Sequence, residues 1–122
     1  MAVKGLSVKN KEIGVKGEQL AKEYLVQQGY EIIETNKRFS RFCEIDIIAK
    51  NKDTLVFVEV KTRSSNFCGS PLEAITKTKY ENIKTGLFTY LKETKIKYKN
   101  FRIDAISIIL NPELKINHLK NI

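Results

Sequence analysis

The sequence predicts a single α/β domain whose central mixed sheet is flanked by helices. Three observations predict it. Apolar residues recur at helical spacing from about Lys16 to Gln28, two runs in strand alternation follow at Phe42–Ala49 and Thr54–Thr62, and a second helical stripe precedes the buried-looking run Phe101–Leu110. Helices interleaved with strands in this order give an α/β layer arrangement. At 122 residues the chain suffices for one domain with its own core.

The first helix rests on Gly17, Leu20, Ala21, Tyr24 and Leu25, and Gly29 stops the pattern. Residues 1–14 are lysine-rich without steady periodicity and read as a flexible basic segment ahead of a folded domain over 15–122. Tyr30–Thr35 is a short strand, and Asn36–Arg41 reads as a basic loop carrying Lys37, Arg38 and Arg41. Asn51 and Lys52 lie at the centre of a hairpin connection, Lys50–Asp53. Ser64–Gly69 is a polar loop. Ser70-Pro71-Leu72-Glu73 and Thr78-Lys79-Tyr80-Glu81 both have the spacing of a helix capping box. The second helix then carries Tyr80, Ile83, Leu87, Tyr90 and Leu91 to about Thr94, and Leu114–Ile122 is an edge-strand candidate.

A formal charge of +8 is unevenly spread: Lys77–Arg102 holds eight basic residues against two acidic, whereas Phe42–Thr76 holds four against five. Lysines beside a carboxylate-bearing segment suit a polyanion, most commonly nucleic acid, although a lysine-rich solvated surface has the same composition. Two cysteines, Cys43 and Cys68, and a single histidine, His118, leave little for zinc or for a histidine triad, and reduced thiols fit a cytoplasmic protein. No apolar run approaches the roughly 20 residues of a membrane span.

The chemistry concentrates in Cys43–Arg63, where Glu44, Asp46, Glu59 and Lys61 interrupt apolar alternation. Buried charge is costly and asks for a reason. Closing Ala49 against Thr54 sets Glu44 opposite Glu59 and Asp46 opposite Phe57, leaving Asp46 and Glu59 diagonal on one face at roughly 7–8 Å between backbones. A one-residue slip would separate them. Clustered carboxylates repel unless a cation joins them, and oxygen ligands without histidine or thiol favour Mg²⁺ or Mn²⁺, for which Asp46 and Glu59 suffice. Lys61, beside Glu59, is placed to hold or deprotonate an attacking water. Glu18 lies within about 20° of Leu25 on the first helix, at the border of its apolar stripe. The structural alternative is an ion-pair network, with Lys61 on Glu59 and Arg63 or Lys50 on Asp46.

These residues resemble the PD-(D/E)xK, or restriction-endonuclease-like, superfamily, and more closely the YraN-like family of predicted nucleases. The likeness spans about Gly17–Ile109. It rests on Gly17-Glu18 with Ala21 and Tyr24-Leu25, Gly29-Tyr30, Glu44-Ile45-Asp46-Ile47-Ile48-Ala49, Leu55-Val56-Phe57-Val58-Glu59-Val60-Lys61-Thr62-Arg63, Gly69-Ser70-Pro71 with Glu73-Ala74, and Phe101-Arg102-Ile103-Asp104. It implies an αβββαβ core, metal ligation by Asp46 and Glu59, a catalytic lysine at Lys61 and an accessory acid at Glu18. Cys43 stands where that family usually has glycine, which questions the close approach of backbone or substrate there.

Two functions compete. One is a Mg²⁺- or Mn²⁺-dependent endonuclease on DNA, including branched or damaged DNA, with Arg38, Arg41, Arg63, Lys77, Lys79, Lys84 and Lys92 around the backbone and Glu44 as an accessory acid. The other is a non-catalytic nucleic-acid-binding or partner-recruiting module on the same fold. A homodimer able to cut two strands is compatible with the sequence.

Overall fold

A computed structural model describes residues 2–65 and 75–122, with side chains from Lys11 onward. Cys68 and the Ser70–Glu73 capping signal lie outside the described residues. Seven elements follow in order: α1 (Ala2–Gln27), β1 (Glu31–Ser40), β2 (Cys43–Asn51), β3 (Thr54–Ser65), α2 (Lys77–Glu93), β4 (Asn100–Asn111) and β5 (Lys115–Leu119). The five strands form one sheet in the order β1-β2-β3-β4-β5. β1, β2 and β3 pair antiparallel, α2 carries the chain across to a parallel β3–β4 pair, and β5 returns antiparallel on β4. This is the expected mixed-sheet αβββαβ arrangement, extended by β5.

Several boundaries differ from those expected. α1 begins at Ala2 rather than near Lys16. β1 continues through the segment expected to be a basic loop. An edge strand tolerates charged side chains facing water, and Asn36 takes φ 51° while register shifts at Ile32/Glu34 and Arg38/Ser40 absorb the irregularity. α2 is capped by Thr76, whose side chain accepts from the Lys79 amide at 3.1 Å, two residues before the Thr78 signal.

The helices sit on opposite faces. Ala21 and Leu25 of α1 pack with Ile47, Ala49, Val56, Val58, Ile106 and Ile108, while Ile83, Leu87 and Tyr90 of α2 pack with Cys43, Ile45, Ile48, Leu55, Phe57 and Ile103. Two glycines bring the helices close. A Cβ at Gly17 would collide with the Thr62 side chain, so α1 rests directly on β3 beside Glu18. A Cβ at Gly86 would lie 2.6 Å from Cys43 Sγ and 2.8 Å from Phe39. Both neighbours are held in the core, so Gly86→Ala should cost about 1–3 kcal/mol in urea denaturation despite its better helix propensity. An unchanged or improved midpoint would mean that α2 can lift away without loss.

Candidate metal and phosphate site

The β2–β3 hairpin closes two residues tighter than the sequence predicts. Asn51 pairs with Thr54 across the turn Lys52-Asp53, and Lys52 takes φ 55°. An even shift preserves the faces; Phe57 now pairs with Ile48 rather than facing Asp46, and Asp46 and Glu59 are the next residues along the two strands beyond the last rung, Ile47↔Val58. Glu44 consequently does not meet Glu59. The ladder also ends at this point, and the Asp46 carboxylate accepts from the Val60 amide at 2.8 Å. Strand alternation changes phase at Asp46: Ile45 packs with the α2 side and Ile47 with the α1 side. A carboxylate thus occupies the opening where two strands part.

A cavity of about 290 Å³ lies over that opening, lined by Arg38, Arg41, Phe42, Cys43, Glu44, Asp46, Glu59, Lys79, Asn82 and Ile83. Glu59 is 6% exposed and pairs with the Lys79 ammonium from the first turn of α2. Neither Lys61 nor any other β3 cation takes that position, so the ion pairs proposed from the sequence alone are replaced by one across the layers. Glu44 pairs with Arg38 at 2.9 Å and also accepts from Asn36 at 3.3 Å. Asn36 donates in turn to Glu18 at 2.9 Å, so Glu18 reaches the site through an amide bridge.

Asp46 differs from the other acids. Among the described residues it forms no ion pair; burial first, then Glu59 and more weakly Glu18, push its carboxyl up to about 8 against the opposing pull of the Val60 amide and Lys79. A carboxyl held protonated by burial and like charge is a group that a cation would stabilise. Two adjacent hard oxygen donors, Asp46 and Glu59, fit Mg²⁺ or Mn²⁺, which retain waters and accept one or two protein carboxylates. Among the described residues no three acidic, histidine or cysteine side chains converge on one point, so Glu18 stands off.

The remaining expected residues fall into groups. Lys61 follows Glu59 on the same strand face and is exposed outside the cavity lining, with Arg63 half-buried further along β3. Lys77 is exposed at the start of α2. Lys84 lies 5.8 Å from the Tyr80 ring and lines a different hollow. Arg38 is committed to Glu44, whereas Arg41 forms no ion pair with the described residues. The Cys43 thiol is buried, donates to the Asn82 carbonyl at 2.9 Å and is raised in pKa, first by burial, so it packs against α2 as a neutral group.

Asn36, Asn82 and Phe42 were not singled out by the sequence. Asn36 carried one available signal, since asparagine tolerates positive φ and can bridge two carboxylates. A second polar cluster was also missed. Asp104, fully buried on β4, accepts from His118 Nε2 at 2.7 Å, Arg102 Nε at 3.0 Å and the Asn121 amide at 2.9 Å. Tyr24 lies 3.0 Å from His118 Nδ1, and Arg102 donates to the Tyr30 hydroxyl at 2.7 Å. This chain of bonds ties β5 and the residues after it to α1.

Fold and site together define a mixed-sheet α/β domain with an acidic pocket bordered by arginine and lysine. Residues 17–108 match the profile described as "Uncharacterised protein family UPF0102". Similar chains include a UPF0102 protein of Syntrophomonas wolfei, 42% identical over 92% of this chain and 97% of that one. Others are from Alkaliphilus oremlandii, 46% identical with the same coverage, and Clostridium botulinum, 47% identical over 84% and 83%. The chain belongs to the UPF0102 family, the YraN-like group.

Proposed function

We propose that this protein is a divalent-cation-dependent nuclease that hydrolyses phosphodiester bonds in DNA. The observation that carries the reading is Asp46: a carboxyl pushed up to about 8, without a cationic partner among the described residues, adjoining buried Glu59 in an open cavity. Asp46 and Glu59 would hold Mg²⁺ or Mn²⁺, which when bound supplies Lewis acidity toward a phosphate oxygen and lowers the pKa of water. The protein's own groups do the rest. Arg41 and Lys79 border the same cavity and suit a phosphate, Lys79 being released to it when Glu59 finds another cation. Lys61, next along the face from Glu59, takes the role of holding the attacking water and balancing charge that grows on the phosphate. Phosphate contacts of this kind impose steep salt dependence without sequence preference.

A second reading, a nucleic-acid-binding module without catalysis, is favoured by the Glu59–Lys79 and Glu44–Arg38 pairs, which neutralise two acids without metal. Purified protein incubated with Mn²⁺ and supercoiled or branched DNA separates the two. Cleavage by the wild type that disappears in Lys61→Ala and Asp46→Ala supports the nuclease. Cleavage that survives both substitutions belongs to a contaminant, and DNA binding without cation binding favours the module.

A further inference from the structure

We infer that Phe42 is a stacking platform for an unpaired nucleobase, so that the site takes a strand containing an unstacked nucleotide in preference to continuous duplex. The inference rests on the nucleic-acid reading above and deepens it to a substrate class. Phe42 is 74% exposed at the two-residue turn Arg41-Phe42 between β1 and β2, and both residues line the cavity that holds Asp46 and Glu59. A single exposed aromatic elsewhere on a surface needs no ligand. Here its setting supplies one.

The turn is held in place by other groups. The Phe42 amide donates to Ser40 Oγ at 3.2 Å, and Arg38 Nη1 reaches the carbonyls of Ser40 and Arg41, each at 3.4 Å. Arg38 Nη2 is anchored on Glu44 at 2.9 Å. Arg38 therefore fastens the turn to the acidic cluster, and a platform supported this way loses little freedom on binding. The Arg41 guanidinium carbon lies 5.9 Å from the centre of the Phe42 ring, so cation and aromatic face are presented together. This pairing matches a nucleotide, with its phosphate toward Arg41 and its base toward Phe42. In continuous duplex both faces of every internal base are already covered by its neighbours, leaving only the phosphates accessible to a surface side chain. A single strand, flap or branch offers the base as well.

Equilibrium binding in EDTA, at one fixed salt concentration, tests the stack independently of cleavage. The probes are a fluorescent 12-residue single strand, as DNA and as RNA, and the corresponding blunt DNA duplex. Phe42→Ala should weaken single-strand binding by about 5- to 150-fold, the ~1–3 kcal/mol of one base stack. It should change duplex binding less than about twofold, and Phe42→Trp should restore the single-strand affinity. Phe88→Ala, which removes an aromatic 47% exposed outside this cavity, is the control. Single-strand binding unaffected by Phe42→Ala overturns the platform while leaving the nuclease reading intact. Equal losses for strand and duplex, or for the Phe88 control, also overturn it. Failure of the wild type to bind any of the probes overturns the platform, while the nuclease reading stands or falls on the cleavage assay with Mn²⁺. Selective loss on DNA or on RNA alone supports the platform and identifies which strand it serves.

Discussion

Asp46→Asn should make the cation-free protein more stable at pH 8.5 while removing its affinity for Mg²⁺. The Asp46 carboxyl titrates near 8 in the folded chain, against about 3.9 in an unfolded one. A folded pKa raised above the unfolded value contributes stability that is fully present below about pH 4 and lost as pH rises through 8. Asparagine retains an oxygen for the Val60 amide and never ionises. The variant's advantage should therefore be absent near pH 4 and grow to the order of 2–5 kcal/mol by pH 8.5, the upper end following from ~1.4 kcal/mol for each pH unit that separates the folded and unfolded titrations. Adding Mg²⁺ should return stability to the wild type alone, with affinity rising about tenfold per pH unit below 8 as a proton is displaced. Urea denaturation with and without Mg²⁺, together with calorimetry, measures each part. Equal stability of wild type and variant at pH 8.5 would show that the Asp46 pKa is not raised by folding, which would leave no costly buried charge there for a cation to stabilise.

Asp104→Ala should be strongly destabilising although it lies outside the site, costing about 3–5 kcal/mol at pH 7. It strips the acceptor from His118, Arg102 and the Asn121 amide at once, leaving cationic and polar groups unpaired inside the fold. Burial pushes the Asp104 carboxyl up, but hydrogen bonds from His118, the Asn121 amide and Arg102, with the Arg102 charge, outweigh it and hold the pKa below the usual range. A lowered folded pKa gives stability present above about pH 4 and lost as pH falls through the folded value. The gap between wild type and variant should thus narrow only in acid. Thermal unfolding at pH 7 and pH 3 reads both numbers, and a variant within 1 kcal/mol of wild type at pH 7 would mean that the network contributes nothing net. Asp104 thus contributes stability that is lost as pH falls below about 4, and Asp46 contributes stability that is lost as pH rises above it.

The layer order was legible because it depends on local periodicity. Leu20, Ala21, Tyr24 and Leu25 could face one way only on a helix, and Leu55, Phe57 and Glu59 only on one face of a strand. Boundaries depend on weaker signals: β1 ran through Asn36–Ser40 because an edge strand accepts lysine and arginine, and α2 started at Thr76 because an unused cap two residues earlier satisfied the Lys79 amide. The hairpin register was misplaced by two residues, but parity survived, which is why Asp46 and Glu59 remained neighbours while Glu44 was reassigned to Arg38 and Asn36.

Sequence alone therefore determined the α/β class, the helix and strand faces, and the pairing of Asp46 with Glu59, all properties of residues a few positions apart or of one hairpin. Tertiary structure decided which cation meets which acid. Lys79 reaches Glu59 because α2 crosses the sheet there, and Asp46 is left without such a partner among the described residues because β2 and β3 part beside it. It also decided that His118, 14 residues from Asp104 in the chain, would close on it, and that Cys43 would turn toward Gly86 and Asn82. Side-chain partners across layers are set by how helices and strands pack, and the spacing of residues along the chain does not encode that.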